Sequence, residues 1–374
     1  MTHVVLSVTN DLFCDQRVEK TAQTLHQLGC KVLLVGRRYR NSPPAATGNF
    51  QTKRFHLFFR RGPLFYAEYN LRLLLFLLFH KSDLLVANDL DTLLPNYWVS
   101  RIKNIPLVYD SHEYFCGILE IQHKHYVKKI WQSIEKYIFP RLENIITVSQ
   151  SIANQYFKEY KKEVKVVRNI PRFIPQAQSE TRAKFHLPED KFLIIFQGNA
   201  IHAGRGGEEI IEAIKDLSDM ALVVVGQGDA LPMMKKMVDI YNLQNRVFFI
   251  GRVEPQKLRV YTQLADIGVS FDKNESLNHY FSLPNKIFEY IHAGIPLLVS
   301  NLPERKKIVE QYQVGWVIED LTPDNIAQTL KTITQNPKIL QIYKENCLKA
   351  REILNWEHEE IILKQIYQPL IQQK

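Results

Sequence analysis

The sequence is poor in cysteine and lacks any long apolar run. The four cysteines, at positions 14, 30, 116 and 347 of 374 residues, do not have the spacing of metal ligands. The longest apolar run, residues 71–79, is interrupted by Arg72 and is far shorter than the roughly 20 residues of a transmembrane helix. No signal peptide is evident at the start. We therefore expect a reduced cytoplasmic chain rather than a disulfide-rich secreted or membrane-spanning one.

Low-complexity segments are also absent, and acidic residues do not balance the basic ones in the first half. Residues 1–170 contain 24 Lys and Arg against 14 Asp and Glu, whereas the remainder contains 24 against 25. This asymmetry predicts an anionic partner for the first half alone, such as phospholipid, a phosphorylated acceptor or nucleic acid. Because the sequence has no recognised nucleic-acid-binding module or aromatic-basic platform, we expect no nucleic acid partner.

Short runs rich in Val, Ile and Leu alternate with helical patterns along the whole chain. Such runs predict parallel sheets covered by helices on both faces. The alternation breaks at residues 171–190, where three prolines lie among polar residues, as in a linker. We predict an α/β protein of two doubly wound, Rossmann-like domains facing each other across a cleft, residues 1–170 and 191–356, with the tail 357–374 packing back on the first. The predicted strands are 3–9, 31–35, 83–87, 106–109, 144–148 and 164–167, then 192–196, 221–225, 246–250, 267–271 and 296–299.

The stretch at residues 282–296 carries the most chemical information. Pro284 suits the first turn of a helix whose free amides favour an anion, and Lys286 adds a cation there. Glu289 lies one turn further on, where a carboxylate can accept both hydroxyls of a ribose, and Gly294 ends the helix. The alternative is an ordinary surface pair of Lys286 and Glu289. Similarly, the glycine-rich residues 204–207 are either a phosphate-approaching loop or a plain turn.

These stretches resemble the GT-B glycosyltransferases, specifically family 4 (group 1) of bacterial surface-glycan biosynthesis. The resemblance runs in order through residues 109–113, 145–149, 196–208, 225–228, 250–253 and 282–290. It implies a retaining, metal-independent enzyme that uses a UDP- or GDP-linked sugar, needs no cofactor, and acts on a glycan or polyprenyl-linked acceptor. It further implies a cytoplasmic location at the inner membrane face, with the basic half toward the anionic surface.

The resemblance also implies a set of site residues. His112, Arg205, Lys286 and Glu289 are the implied catalytic residues. The first of two glutamates found in many family members is replaced by Phe281, so the sugar contact is expected from Asn278, Tyr280 or amides around Leu283. The implied donor-binding residues are Gly198, Asn199, Gly206, Gly226, Gly251, Arg252, Val253, Asn278, Tyr280, Leu283, Pro284 and Asn285.

Acceptor-side residues are expected at the ends of the first-half strands: Asn10, Asp15, Arg17 and Glu113. Arg17 is expected to contact the acceptor or the leaving phosphate, although capping of a helix start by Asp15 explains the pattern equally well. His112 either donates to the reacting centre or satisfies a backbone group. The pair Asp89 and Asp91 resembles the metal-binding aspartates of the GT-A fold, but we expect a turn at the cleft edge and no metal.

Residues 55–80 combine large apolar side chains with cations and allow two interpretations. One is an amphipathic surface that dips into a membrane. The other, which we favour, is the core helix that a doubly wound sheet requires, with Arg60 and Arg61 still free to meet lipid phosphate. Two rival functions also remain: a nucleotide-sugar 2-epimerase on the same scaffold, and a non-catalytic nucleotide-binding homologue.

Overall fold

The computed structural model describes residues 1–12, 15–40, 42, 49–122, 124–175 and 180–372. The chain forms two compact units. Unit 1 comprises Met1–Asn169, Ser276–Asn278 and His358–Lys374, and unit 2 comprises Ile170–Glu275 and His279–Glu357. Residues 176–179 of the predicted linker and the last two residues of the predicted tail lie outside the described residues. Within the described part of the chain, no helix is long and apolar enough to cross a bilayer.

Unit 1 is built on a seven-stranded parallel sheet with the strand order β3-β2-β1-β4-β5-β6-β7. The central strands β4 and β5 are buried along their whole length, as expected for a sheet covered on both faces. The strands are β1 His3–Ser7, β2 Lys31–Arg37, β3 Gln51–Phe55, β4 Leu84–Asn88, β5 Leu107–Ser111, β6 Asn144–Thr147 and β7 Lys165–Val166. The helices are α1 Gln16–Gln27, α2 Gly62–Phe79, α3 Leu90–Lys103, α4 Leu119–Gln122, α5 His125–Ile138 and α6 Gln150–Tyr160.

Unit 2 contains a six-stranded parallel sheet with the order β10-β9-β8-β11-β12-β13. The strands are β8 Phe192–Gly198, β9 Met220–Gly226, β10 Val247–Gly251, β11 Ile267–Ser270, β12 Leu297–Ser300 and β13 Gly315–Ile318. Its helices are α7 Gly207–Ile214, α8 Leu231–Ile240, α9 Pro255–Leu264, α11 Asn285–Ala293, α12 Pro303–Tyr312, α13 Pro323–Gln335 and α14 Pro337–Ala350. Two helices, α10 Leu277–Phe281 and α15 Trp356–Gln372, have residues in both units.

The core of unit 2 lies on both faces of its sheet, because successive strand residues point to opposite sides. Ile195 and Val223 pack on one face with Phe288 of α11. Ile194 and Val224 pack on the other face, against α7, α8 and α13. Because the strands are all parallel, their carboxyl ends lie at the same edge of the sheet.

Most of α15 belongs to unit 1, where its first turns are fixed by hydrogen bonds. The Arg168 guanidinium donates to Glu359 at 2.8 Å, and the Thr24 hydroxyl donates to Glu360 at 2.7 Å. Further along the helix, the side chains of Leu363 and Tyr367 are completely buried. The carboxyl-terminal helix is therefore part of the core of unit 1.

Candidate functional site

Two glycines bring β8 and β9 into close backbone contact at the carboxyl edge of the unit 2 sheet. Gly198 and Gly226 are register partners, and a Cβ on Gly226, whose φ is 139°, would overlap the carbonyl oxygen of Gly198. Gly206 caps α7 in the left-handed conformation, with φ 78°, and lies against Phe271. The loop between Gly198 and Gly206, which includes exposed Asn199, is thereby held over the strand ends.

A cluster of cations surrounds one buried carboxylate at this edge. Arg205 Nη1 lies 2.9 Å from Asp272 Oδ1, and Arg305 Nη2 pairs with Asp272 Oδ2. Arg305 is itself completely buried and donates to the hydroxyls of Ser300 and Ser282, both at 2.9 Å. Burial raises the pKa of Asp272, but its positive neighbours outweigh this and hold the pKa below its ordinary value.

Lys286 is the third cation of this cluster. Its ammonium lies 5.1 Å from the ring centre of Phe196, and Asp272 acts on it electrostatically. Burial, together with the positive charges of Arg305 and Arg205, lowers the pKa of Lys286 to about 8. Arg205, Lys286 and Arg305 thus place three cations around a single carboxylate. Half-buried Arg205 and Lys286 can contact a diphosphate, whereas completely buried Arg305 can act on it only through its charge.

Helix α11 starts beside the cluster without a side-chain cap. Pro284 occupies the N-cap position, one residue before the first turn, and exposed Asn285 begins the helix. The first amides therefore remain available to an anion. Gly294 ends α11 in the left-handed conformation, with φ 77°. The side chain of Leu283 is buried in the core of unit 2, so only its backbone can serve a ligand.

Glu289 is oriented by a chain of polar groups that the motifs did not identify. The Thr262 hydroxyl donates to Gln197 Oε1 at 2.8 Å, and Gln197 Nε2 donates to Glu289 Oε2. Gln197 is buried at the end of the otherwise apolar β8, and this placement was the sequence signal that could have identified it. The fixed carboxylate of Glu289 can accept hydrogen bonds from a diol.

A cavity of about 190 Å³ opens between β9, β10 and α8. It includes two of the predicted donor-site glycines, Gly226 and Gly251, together with Lys235 and Phe249. Gly251 has φ 74°, and Arg252 and Val253 follow it directly. Tyr280 is 36% exposed, and its ring centre lies 5.3 Å from that of Phe281.

In unit 1, the expectation that Arg17 contacts the acceptor is wrong for this geometry. Its guanidinium is buried, paired with Asp110 at 2.6 Å and bonded to the carbonyl of Val167 at 2.7 Å. These contacts leave it inside the core of the unit. Asp15 caps α1 by accepting from the amide of Val18 at 3.1 Å, and its other oxygen accepts from Asn10 at 2.9 Å.

His112 lies between two aspartates at the ends of β4 and β5. Its Nδ1 is 3.5 Å from Asp89 and its Nε2 is 3.7 Å from Asp110, while its backbone N–H donates to Asp89 at 2.8 Å. Burial lowers the pKa of the imidazole, but Asp89 and Asp110 outweigh it and raise the pKa to about 9. The two carboxylates therefore favour the imidazolium form of His112, which has protons on both ring nitrogens to donate.

The environment of the neighbouring Asp91 favours its protonated form. Burial, reinforced by the charge of Asp89, raises its pKa to about 8, and the hydroxyl of Thr9 bonds to its carboxyl group. Among the residues that the structure describes, no cluster of three His, Cys, Asp or Glu side chains could hold a metal ion. Asn278, expected at the donor sugar, instead donates to Glu113 at 2.9 Å and accepts from the amide of Tyr114 at 3.0 Å.

Two family models match consecutive parts of the chain. The Glycosyltransferase Family 4 model matches residues 16–175, and the Glycosyl transferases group 1 model matches residues 177–350. Together these matches include every strand of both sheets except β1.

Two curated relatives and one solved structure illustrate the similarity. TuaH of Bacillus subtilis, named for teichuronic acid biosynthesis, is 32% identical over 147 residues, 39% of this chain and 36% of that protein. The alpha-monoglucosyldiacylglycerol synthase of Streptococcus pneumoniae is 22% identical over 283 residues, 67% of this chain and 60% of that protein. The chain thus matches between about a third and three fifths of the length of these relatives. Anabaena HepE, solved with UDP-glucose, aligns over 99% of both chains at a TM-score of 0.73 and 15% identity. The chain belongs to the group 1, family 4 glycosyltransferases and has their GT-B fold.

Proposed function

We propose that this protein transfers a sugar from a nucleotide diphosphate sugar to a glycan or lipid-linked acceptor, with retention of anomeric configuration and without a metal ion. The observation that carries the proposal is the set of three cations, Arg205, Lys286 and Arg305, around Asp272 at the uncapped start of α11. This cluster matches the diphosphate in charge. Glu289 lies three residues after Lys286, and a hydrogen bond from Gln197 orients its carboxylate. This carboxylate can accept hydrogen bonds from both hydroxyls of a ribose.

Cleavage of the sugar–phosphate bond leaves positive character on the sugar and negative charge on the diphosphate. The cations and the α11 amides would stabilise that negative charge as it develops. On the acceptor side, the raised pKa values of His112 and Asp91 favour their protonated forms. A protonated group is a poor general base, which favours a front-side displacement in which the leaving phosphate takes the proton of the acceptor hydroxyl. His112 would donate a hydrogen bond to the sugar or to the reacting oxygen.

The donor and acceptor classes follow from chemistry and from the relatives. HepE was solved with UDP-glucose, and a uridine or guanosine donor base would lie near Gly251, Arg252 and Val253. The names of TuaH and the alpha-monoglucosyldiacylglycerol synthase support a surface-glycan or glycolipid acceptor. Such acceptors, together with the basic first half of the chain, support action at the cytoplasmic face of an anionic membrane.

A non-catalytic nucleotide-binding protein is the second candidate, and Phe281 is the observation that favours it. This half-buried aromatic side chain occupies the position where many family members carry a sugar-binding glutamate. A 2-epimerase on the same scaffold would also bind a nucleotide sugar but would need no acceptor. All three functions predict nucleotide binding at the same cluster, so binding and turnover must be measured separately.

Thermal shift against UDP, GDP and their sugar conjugates tests the donor site. We expect one nucleoside diphosphate to raise the melting temperature of the wild type, because ligand at about 100 times its Kd stabilises the folded state by about 2.7 kcal/mol. Glu289→Ala should lose most of that shift, whereas Glu310→Ala, an exposed carboxylate on α12, should keep it. A flat response of the wild type to every nucleotide would refute the donor site.

Turnover separates the remaining functions. With the matching nucleotide sugar and no other acceptor, an enzyme of the proposed kind should slowly transfer the sugar to water and release the nucleoside diphosphate. Glu289→Ala should abolish that release. Binding without release favours the non-catalytic candidate, and conversion of the sugar without release favours the epimerase.

A further inference from the structure

Helix α2 has two apolar faces, although its place against the sheet requires only one. Leu73 and Leu77 on the inner face are completely buried. On the opposite face, Leu71, Leu75 and Phe79 are 58%, 49% and 88% exposed. A helix that covers a sheet is ordinarily polar on its outer side. The core-helix interpretation from the sequence accounts for the inner face alone, and the outer face is left for an interaction.

The neighbouring helices extend this apolar surface. Helix α2 packs against α3, and α3 packs against α5. The ring of Tyr66 on α2 also contacts that of Trp131 on α5, at 5.2 Å between centres. On the outer side, Ile102 of α3 and Ile130 of α5 are 68% and 57% exposed. We call this surface, formed by the outer sides of α2, α3 and α5, the α2–α3–α5 face.

The charges on the α2–α3–α5 face are of one sign. The described residues 58–81, 90–103 and 124–141 contain three carboxylates, Glu68, Asp91 and Glu135. Asp91 and Glu135 are buried, and Glu68 is occupied by Arg72 and by the amides of Phe58 and Phe59. The exposed charged side chains in these segments are all cationic: Arg60, Arg61, Arg101, Lys124, Lys129 and Lys136 are among them.

We infer that the α2–α3–α5 face is the surface by which this protein binds an anionic lipid bilayer. Leu71, Leu75 and Phe79 would enter the boundary between headgroups and acyl chains, while the lysines of α5 meet lipid phosphate. Apolar area flanked by cations alone fits an anionic bilayer, whereas a protein partner of mixed charge would be matched by carboxylates as well. The inference rests on the proposed function only in that a lipid-linked acceptor lies at such a surface.

Vesicle flotation tests this surface with the full chain. The vesicles are phosphatidylcholine alone, or phosphatidylcholine and phosphatidylglycerol in equal amounts. We expect the wild type to float with the anionic vesicles only. Removing one surface cation should weaken partitioning about fivefold, so Lys129→Ala/Lys136→Ala should lower it by more than tenfold. Leu71→Ser/Leu75→Ser/Phe79→Ser should abolish flotation.

Matched controls come from unit 2. Met233→Ser/Ile240→Ser removes two exposed apolar side chains of α8, and Lys331→Ala/Lys338→Ala removes two exposed cations. Both should float like the wild type. The nucleotide thermal shift of every variant should match that of the wild type, which shows that the variants are folded and separates this inference from the donor-site proposal. If the wild type binds vesicles but no nucleotide, the docking surface stands and the donor site fails.

Two outcomes would overturn the inference. One is equal flotation of the α2 triple variant and the α8 control. The other is a wild type that does not float but sediments as a dimer, with the α2 substitutions producing monomers. That result would make the face an interface between two copies of this chain.

Discussion

We expect Lys286 to make nucleotide binding depend on pH. Burial and the charges of Arg305 and Arg205 lower its pKa to about 8, so the side chain of the free protein loses its proton near that pH. A bound diphosphate would place negative charge beside it and raise this pKa, so binding above pH 8 would take up a proton. We therefore expect constant affinity below about pH 8 and an affinity that falls up to tenfold per pH unit above it.

Calorimetric titration of the nucleoside diphosphate from about pH 7 to about pH 9.5 measures this dependence. Lys286→Arg keeps the positive charge throughout that range and should show a flat profile. A wild-type affinity that does not change with pH, or the same slope in Lys286→Arg, would show that another group is responsible.

At the residue scale, the sequence predicted the site residues that lie in local motifs and missed the partners that are distant along the chain. Arg205, Lys286 and Glu289 lie in local motifs whose glycines and proline mark a strand end and a helix start. Asp272, just after β11, and Arg305 of α12 complete the cluster, and no local pattern links two residues 33 positions apart. Arg17 was misassigned for the same reason, because its partner Asp110 is 93 residues away.

At the element scale, α5 carries a buried acid that should make the protein less stable as pH rises. Burial raises the pKa of Glu135 from its ordinary 4.5 to about 7, and its carboxylate accepts from the Tyr160 hydroxyl at 2.7 Å. The unfolded chain ionises this group above about pH 4.5, whereas the folded chain keeps the proton until about pH 7. The free energy of unfolding therefore falls between those values, by up to roughly 3 kcal/mol, and then levels off.

Glu135→Gln should remove this dependence, since a neutral side chain replaces the acid. Melting temperatures at about pH 5 and about pH 8 should then differ less in Glu135→Gln than in the wild type, and the variant should be the more stable of the two at the higher pH. Glu163→Gln, an exposed carboxylate of the same unit, serves as the control and should behave like the wild type. Equal pH dependence in all three proteins would contradict the assignment.

Periodicity predicted every strand of both sheets, including the edge strands β7 and β10, except β3 and β13. Strand β3, of sequence QTKRF, lies at a sheet edge and is mostly exposed, so its residues are polar and give no apolar run. Strand β13 lies at an edge of the other sheet, beside β12, and has only four residues. An edge strand needs less burial and therefore carries a weaker sequence signal.

At the scale of the whole molecule, the alternation of buried strands and helices was sufficient to predict the doubly wound fold, because each interior strand must be apolar on both faces. It did not reveal which helix faces would remain exposed. The inner and outer residues of α2 are equally apolar, so only the structure distinguishes Leu77, which packs on the sheet, from Phe79, which is exposed. A hydrophobic pattern predicts that a helix has buried residues, but it does not predict which of its apolar residues stay exposed.

Because α15 packs in unit 1, we expect the carboxyl-terminal residues to contribute to the stability of that unit. Tyr367 is completely buried near Asp110 and Arg17, and its hydroxyl has no hydrogen-bond partner among the described residues. Tyr367→Ala should destabilise unit 1 by about 3 kcal/mol through the cavity it leaves, and amide exchange should accelerate in β1 and β4 but not in β8 and β9. Tyr367→Phe removes only the unpaired hydroxyl and should be neutral or slightly stabilising. Faster exchange in both sheets of the alanine variant would mean that the two units unfold together, and unchanged exchange would mean that α15 contributes little to the core.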